Sequence, residues 1–164
     1  MKTIKTKFPE VLIFKPKIFQ DKRGYFIESY NQKLFNNIIG KEINFIQDNE
    51  SQSEYGVMRG LHFQEPPYTQ AKLLKVVKGA IADIIVDIRI DSKTFGEILI
   101  VKLDDKEKEQ LFIPRGFAHG FVALEDKTIL QYKVDNEYAP KFDSGILFDS
   151  VEINLKRPKI KTIS

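Results

Sequence analysis

Apolar positions along the chain fall in short runs rich in Ile, Val, Phe and Tyr, separated by turn residues, and this pattern predicts an all-β protein. Strands are expected near residues 11–14, 24–29, 45–48, 56–63, 72–77, 80–89, 96–102, 110–113, 120–124 and 128–134, enough to build a sandwich or barrel. One segment has a different period. Leu34, Phe35 and Ile38 recur at helical spacing behind Asn31, so 31–39 is expected to be a short helix capped by that asparagine. The charged run Asp104-Asp105-Lys106-Glu107-Lys108-Glu109 reads as a solvated turn and is given no chemistry. There is no fixed-period repeat, Gly/Ser linker or low-complexity tract, so residues 1–164 are taken as a single domain.

Composition narrows the function classes. The 26 basic and 23 acidic residues leave a net charge of +3 and are interspersed, which suits a small anionic ligand better than a nucleic acid. The sequence has no cysteine, which removes disulfides, thiolate metal sites and cysteine nucleophiles and is compatible with the cytoplasm. The first residues, Met1 to Lys7, lack the apolar stretch of a secretory signal, and no segment approaches the roughly 20 apolar residues of a membrane span. A soluble cytoplasmic protein that contacts neither membrane nor nucleic acid is expected.

The two histidines, His62 and His119, lie in unusual surroundings, Arg59-Gly60-Leu61-His62-Phe63-Gln64 and Ile113-Pro114-Arg115-Gly116-Phe117-Ala118-His119-Gly120-Phe121. Glycine beside a strand lets a ligand or another backbone come close, and aromatic neighbours make a dry pocket where an imidazole can act as a base. A histidine alone on a strand more often serves the core than a site. Polar residues within the apolar strands shift that balance: Gln47-Asp48-Asn49, Arg59, Lys72, Asp83, Asp87 and Tyr132 all fall where core is expected. Burying them is costly unless they are paired or serve a site, so a polar pocket inside the barrel is predicted.

The kind of chemistry follows partly by elimination. Two histidines and no cysteine cannot supply the usual transition-metal shell, so no metal is expected. Neither a Gly-rich phosphate loop nor a Gly-x-Ser-x-Gly elbow occurs. What remains for His, Lys and Tyr is proton transfer at a carbon activated by a carbonyl.

Several motifs, taken together in order, resemble the dTDP-4-dehydrorhamnose 3,5-epimerase family. They are Asp21-Lys22-Arg23-Gly24-Tyr25-Phe26-Ile27-Glu28, Phe45-Ile46-Gln47-Asp48-Asn49, Met58-Arg59-Gly60-Leu61-His62-Phe63-Gln64, Gln70-Ala71-Lys72-Leu73, Val86-Asp87-Ile88-Arg89, the stretch from Phe112 to Phe121, Tyr138-Ala139-Pro140 and Ser144-Gly145-Ile146. The likeness runs from about residue 8 to about residue 155.

This resemblance implies a cupin-like β jelly roll with one or two short helices. It also implies a homodimer whose N-terminal strand joins the partner's sheet, with neither metal nor cofactor. The implied reaction inverts C3 and C5 of a dTDP-linked 4-keto-6-deoxy sugar, both next to the C4 ketone, and its product feeds L-rhamnose synthesis for surface polysaccharide. By resemblance His62 is the base, Lys72 steadies the enolate and Tyr132 is the acid on the opposite face; Arg23 and Glu28 contact the nucleotide, across the dimer interface or within one chain. Gln47, Asn49, Arg59 and His119 hold the diphosphate and sugar. Asp143 stands where the family usually has glutamate. Two other readings remain open: an epimerase acting on one centre or on another 4-keto nucleotide sugar such as a GDP-heptose, and a module that binds sugar nucleotides without catalysis.

Two departures from the family pattern lie at the C-terminus. The pattern continues past an Ile-Ser pair into Lys-Asp, whose aspartate orients the catalytic histidine, whereas this sequence ends at Ile163-Ser164. Either Asp83 or Asp48 is expected to take over that part, or the sequence belongs to a longer protein. The basic tail at 156–161 replaces a Trp-Pro start and reads as a solvated end.

Overall fold

The computed structural model describes residues 1–147 and the pair 162–163; the basic tail at 156–161 lies outside the described residues. The elements run β1 (Lys2–Lys5), β2 (Leu12–Lys15), β3 (Phe19–Asp21), β4 (Gly24–Phe26), α1 (Gln32–Ile39), β5 (Gln47–Ser53), β6 (Val57–Gln64), β7 (Lys72–Lys78) and β8 (Ala80–Asp87). They continue with β9 (Ile98–Asp104), β10 (Gln110–Ile113), β11 (Phe117–Ala123), β12 (Thr128–Val134), a 3-10 turn (Pro140–Phe142), β13 (Asp143–Gly145) and β14 (Thr162–Ile163).

The strands form two facing sheets. One has the order β1-β2-β10-β7-β12-β5, and the other β13-β6-β11-β8-β9 with β14 parallel to β6; β3 and β4 make a separate hairpin. Every other pairing is antiparallel, and the result is the expected all-β jelly-roll sandwich. Between the sheets lies a core of Phe8, Leu74, Val76, Ile81, Ile85, Phe117, Phe121 and Leu130. All eight residues of β8 are buried, so this strand is covered on both faces.

The helix follows its local signals. Asn31 Oδ1 accepts the Leu34 amide at 3.0 Å, and Gly40, at φ +75°, closes the C-terminus with its N–H on the Asn36 carbonyl. Phe35 anchors α1 against Phe14 and Phe112.

Three strands depart from their expected bounds by about three residues or more at one end, for tertiary reasons. β5 is polar through its length, yet Gln47–Ser53 pairs residue by residue with Val134–Thr128 of β12, which supplies the hydrogen bonds that composition alone would assign to solvent. β11 starts at Phe117 because its register with β8 already holds at Phe117 and Asp87. The expected strand 24–29 is only the short β4, since among the described residues no strand pairs with the segment after Phe26. β1, outside the expected set, runs along β2 of its own chain.

Candidate active site

Period-two alternation directs one side of each strand into the sandwich. On β5 this turns Gln47, Asn49 and Ser51 inward; on β12 it turns Leu130 and Tyr132; on β7 it places Lys72 in line with the core residues Leu74 and Val76. Tyr132 is paired in register with Asn49 on one side and Leu74 on the other. The opposite sheet contributes Asp83 from β8 and His119 and Phe121 from β11.

Strand β6 breaks the alternation. Strict pleating would put Arg59 and His62 on opposite faces, three residues apart, yet both line the same cavity. The cause is a close crossing of two glycines. Gly60 has φ +102°, and a Cβ there would lie 2.7 Å from Gly120 Cα; a Cβ on Gly120 would lie 2.5 Å from the Arg59 carbonyl oxygen. The β6–β11 register shifts between His119 and Phe121 at the same place, a bulge that re-aims the side chains around it. As a result His62 and His119 are register partners on adjacent strands.

The resulting cavity has a volume of about 430 Å³, enough for a sugar with part of a nucleotide. His62 and His119 enter it from one sheet, Tyr132 and Lys72 from the other. Arg59 is steered across the gap by Ser53, whose hydroxyl accepts from Nε at 3.0 Å, and by the Gln52 carbonyl at 3.2 Å. Gln47 donates to Asn49 Oδ1 at 2.8 Å. At the rim, the Gln64 amide donates to the Tyr68 and Glu137 carbonyls at 2.8 and 2.9 Å and accepts from the Ala139 N–H at 2.6 Å. That latch ties down the segment carrying Tyr138, whose hydroxyl donates to Asp143 Oδ2 at 3.2 Å.

The cavity alters the acidity of the groups inside it. Burial lowers the Lys72 ammonium to about 8, with Asp83 and Asp143 opposing the shift. Burial raises the Tyr132 phenol above its ordinary value, aided by Asp143 and opposed by Arg59. His119 falls well below the usual imidazole value because it is buried and faces Lys72 and His62, while burial drives the Asp83 carboxyl up against the pull of Lys72.

Of the residues singled out in the sequence, His62, Lys72, Tyr132, Gln47, Asn49, Arg59, His119 and Asp143 meet in this one cavity. Arg23 and Glu28 do not. Arg23 sits at the β3–β4 turn, bound to Asp21 at 2.7 Å, and Glu28 accepts from Asn31 at 2.7 Å, because both belong to a segment outside the sandwich. Asp87 and Asp48 also fall elsewhere, Asp87 clamping a loop with Arg89 and Asp48 binding Lys133 at 2.8 Å. Asp48 therefore does not orient His62, and Asp83 lies 3.5 Å from His119 instead. Among the described residues no carboxylate hydrogen-bonds to His62. Ser51, Gln64, Gln70 and Tyr138 line the cavity without having been singled out, although Ser51 continues the alternation of Gln47 and Asn49 and the other three lie within the motifs quoted above.

Comparison with known proteins agrees with this geometry. Residues 5–164 match the family model described as dTDP-4-dehydrorhamnose 3,5-epimerase. The chain belongs to that family. A dTDP-4-dehydrorhamnose 3,5-epimerase of Shigella flexneri is 49% identical over 158 residues, which cover 96% of this chain and 87% of the relative. The solved structure of a dTDP-6-deoxy-D-glucose-3,5-epimerase from Legionella pneumophila, in complex with dTDP-4-keto-L-rhamnose, superposes with a TM-score of 0.94 at 38% identity, covering 99% of this chain and 87% of that one. A 3'-monoepimerase from Streptomyces bikiniensis in complex with dTDP superposes with a TM-score of 0.90 at 28% identity, covering 97% and 81%. These epimerases are thus similar to this chain over nearly its whole length. Among the described residues no helix is long and apolar enough to cross a membrane.

Proposed function

We propose that this member of the family inverts C3 and C5 of dTDP-4-dehydro-6-deoxy-D-glucose to give dTDP-4-dehydro-L-rhamnose. The observation that carries this reading is the single cavity in which His62 and Tyr132 arrive from opposite sheets with Lys72 between the same walls. Inversion needs a base on one face of the sugar and an acid on the other, and two facing sheets meet that need.

His62 removes the proton from the carbon next to the C4 ketone, and the electron pair moves to the ketone oxygen as an enolate. The Lys72 ammonium, still largely charged near pH 7, stabilises that oxygen where little water competes. Tyr132 keeps its proton at neutral pH because burial raises its pKa, and it delivers that proton to the opposite face of the carbon. Solvent then takes the proton from His62 and restores the one on Tyr132. Repetition at the second carbon completes the reaction. Arg59 suits the diphosphate, with Gln47, Asn49, His119 and Asp143 around the sugar.

Arg23 and Glu28 serve the site of a partner copy in this reading. Their hairpin exposes Phe19, Tyr25 and Phe26 at 51%, 54% and 67%, an apolar surface suited to a homodimer contact. A cysteine-free chain is compatible with the cytoplasm, where we place the activity.

Incubating the 4-keto sugar nucleotide with the protein in deuterated water tests the proposal. Deuterium at both C3 and C5 is expected. Label at one carbon makes the protein a single-centre epimerase, and label at neither rules out the enzyme reading. His62→Ala is expected to slow the exchange by about 10²–10⁴-fold, the usual contribution of a general base.

A further inference from the structure

His119 at the cavity wall and Asp83 behind it have each other and little else. Asp83 is fully buried on β8, and among the described residues neither of its carboxyl oxygens has a hydrogen-bond partner. The same holds for His119 Nδ1, which lies 3.5 Å from Asp83 Oδ2. His119 is held in register between Ile85 of β8 and His62 of β6, which fixes its place in the sheet. Nδ1 is its enclosed nitrogen, and Nε2 is the one left to face the cavity that His119 lines.

Buried polar atoms without partners are uncommon and unfavourable, and one proton placed between Oδ2 and Nδ1 satisfies both. Which group owns that proton follows from the surroundings. The charged and titratable neighbours are Lys72 from β7 and His62 from β6, with Arg59 and Asp143 lining the same cavity. Burial disfavours charge on both members, raising Asp83 and lowering His119; Lys72 counters the first shift and, with His62, reinforces the second. A neutral carboxyl has one proton to donate, and a neutral imidazole has one nitrogen to receive it.

We infer that Asp83 is a positioning residue that keeps its proton and donates it in a hydrogen bond to His119 Nδ1. His119 then carries its own proton on Nε2 and presents that N–H to the cavity as a donor beside Lys72. The role of this donor rests on the epimerase reading: it faces the oxygen on which the enolate charge develops. The tautomer does not depend on that reading. A carboxylic acid held neutral so that it can donate a hydrogen bond is a device that enzymes use elsewhere to stabilise enolates.

Imidazole ¹⁵N–¹H correlation spectra read the tautomer directly, and because the sequence has two histidines, a His62→Asn sample assigns the signals. At pH 7 the free protein is expected to show neutral His119 with its proton on Nε2. An Nδ1–H tautomer or an imidazolium overturns the inference. In the deuterium-exchange assay, Asp83→Leu is expected to lower kcat about 10²-fold while KM changes less than about threefold. Asp83→Asn, whose amide can donate to Nδ1, is expected to recover to within about tenfold of the parent. If the Asn variant falls as far as the Leu variant, the site requires a carboxylate and the inference fails. A protein that exchanges no deuterium yet shows the Nε2–H tautomer loses the epimerase reading and keeps the positioning of His119, so the two failures are told apart.

Discussion

Strand β8 carries two aspartates four residues apart, both fully buried, and they live in opposite surroundings. Asp87 receives the Arg89 backbone N–H at 3.0 Å, the Arg89 guanidinium at 2.9 and 2.7 Å, and the hydroxyls of Ser92 and Thr94 at 2.6 Å each. Burial by itself would raise its pKa, but these donors hold the carboxyl far below the usual range. Asp83 receives no hydrogen bond among the described residues and is pushed the other way. Two carboxyls without exposed surface therefore become opposite acids, because Asp83 lies deep in the sandwich without a donor while Asp87 lies shallower among several. The satisfied aspartate clamps the loop after β8, with Arg89 stacked 4.4 Å over Phe117 and bound to Glu10; the unsatisfied one stands beside the cavity. The unsatisfied groups Asp83, His119 Nδ1 and Ser51 gather at the cavity end of this barrel, as expected where stability is given up for chemistry.

The comparison predicts that losing charge at the two ends does different damage. Lys72→Met, which removes the cation that faces Asp83, is expected to cut turnover by about 10²–10³-fold while the urea midpoint is unchanged or higher. A fall in stability with turnover intact would move Lys72 from chemistry to structure. At the other end Asp87→Ala leaves the Arg89 guanidinium without its main partner, and about 3 kcal/mol of folding stability is expected to be lost in urea titration, with the activity per folded molecule retained.

Acid and alkali separate the two ends further. Asp87 has a depressed pKa in the folded state, so its stabilisation is present above the unfolded carboxyl value of about 3.9 and is lost as pH falls toward its folded value. Asp83 has a raised one, so the folded protein binds more protons there, and its contribution to stability declines as pH rises above about 3.9. Stability curves from pH 3 to 7 should accordingly lose much of their acid slope in Asp87→Asn and become steeper toward neutral pH in Asp83→Asn. Turnover should fall as pH rises through about 8, where Lys72 loses its proton; a kcat flat to pH 10 would contradict that assignment. The smallest effect is expected for Asp83→Asn on stability at pH 3, a change within about 1 kcal/mol, because there the parent carboxyl is protonated both folded and unfolded and the amide can still donate to His119 Nδ1.

Much of the site was legible in the sequence, for reasons that can be located. His62 and Lys72 sit in the quoted motifs and Tyr132 on the expected strand 128–134, the family resemblance is what marks them as an acid-base set, and all three line the cavity with Leu130. Strand β5 was legible only at its start, because Asp48 to Ser53 is polar and its strand character comes from β12 alongside. Arg59 and His62 reach one cavity only because Gly60 and Gly120 pack backbone against backbone, a contact between residues 60 positions apart that no local period encodes. Gln64 falls just past the expected strand 56–63, and its three hydrogen bonds exist only once the 65–70 and 136–143 segments are brought together.

By itself the sequence determined the all-β class, the helix with its Asn31 cap, the family and the identity of most cavity residues. These depend on local periodicity, side-chain chemistry and ordered motifs, all of which are written along the chain. Tertiary structure alone decided which buried carboxylate is satisfied and which is not, that Asp83 faces His119 rather than His62, and that Arg23 and Glu28 stand outside the cavity of their own chain. The reason is physical: a carboxyl's charge state depends on how many donors surround it and how much water is excluded, and both are set by strands that meet only after folding.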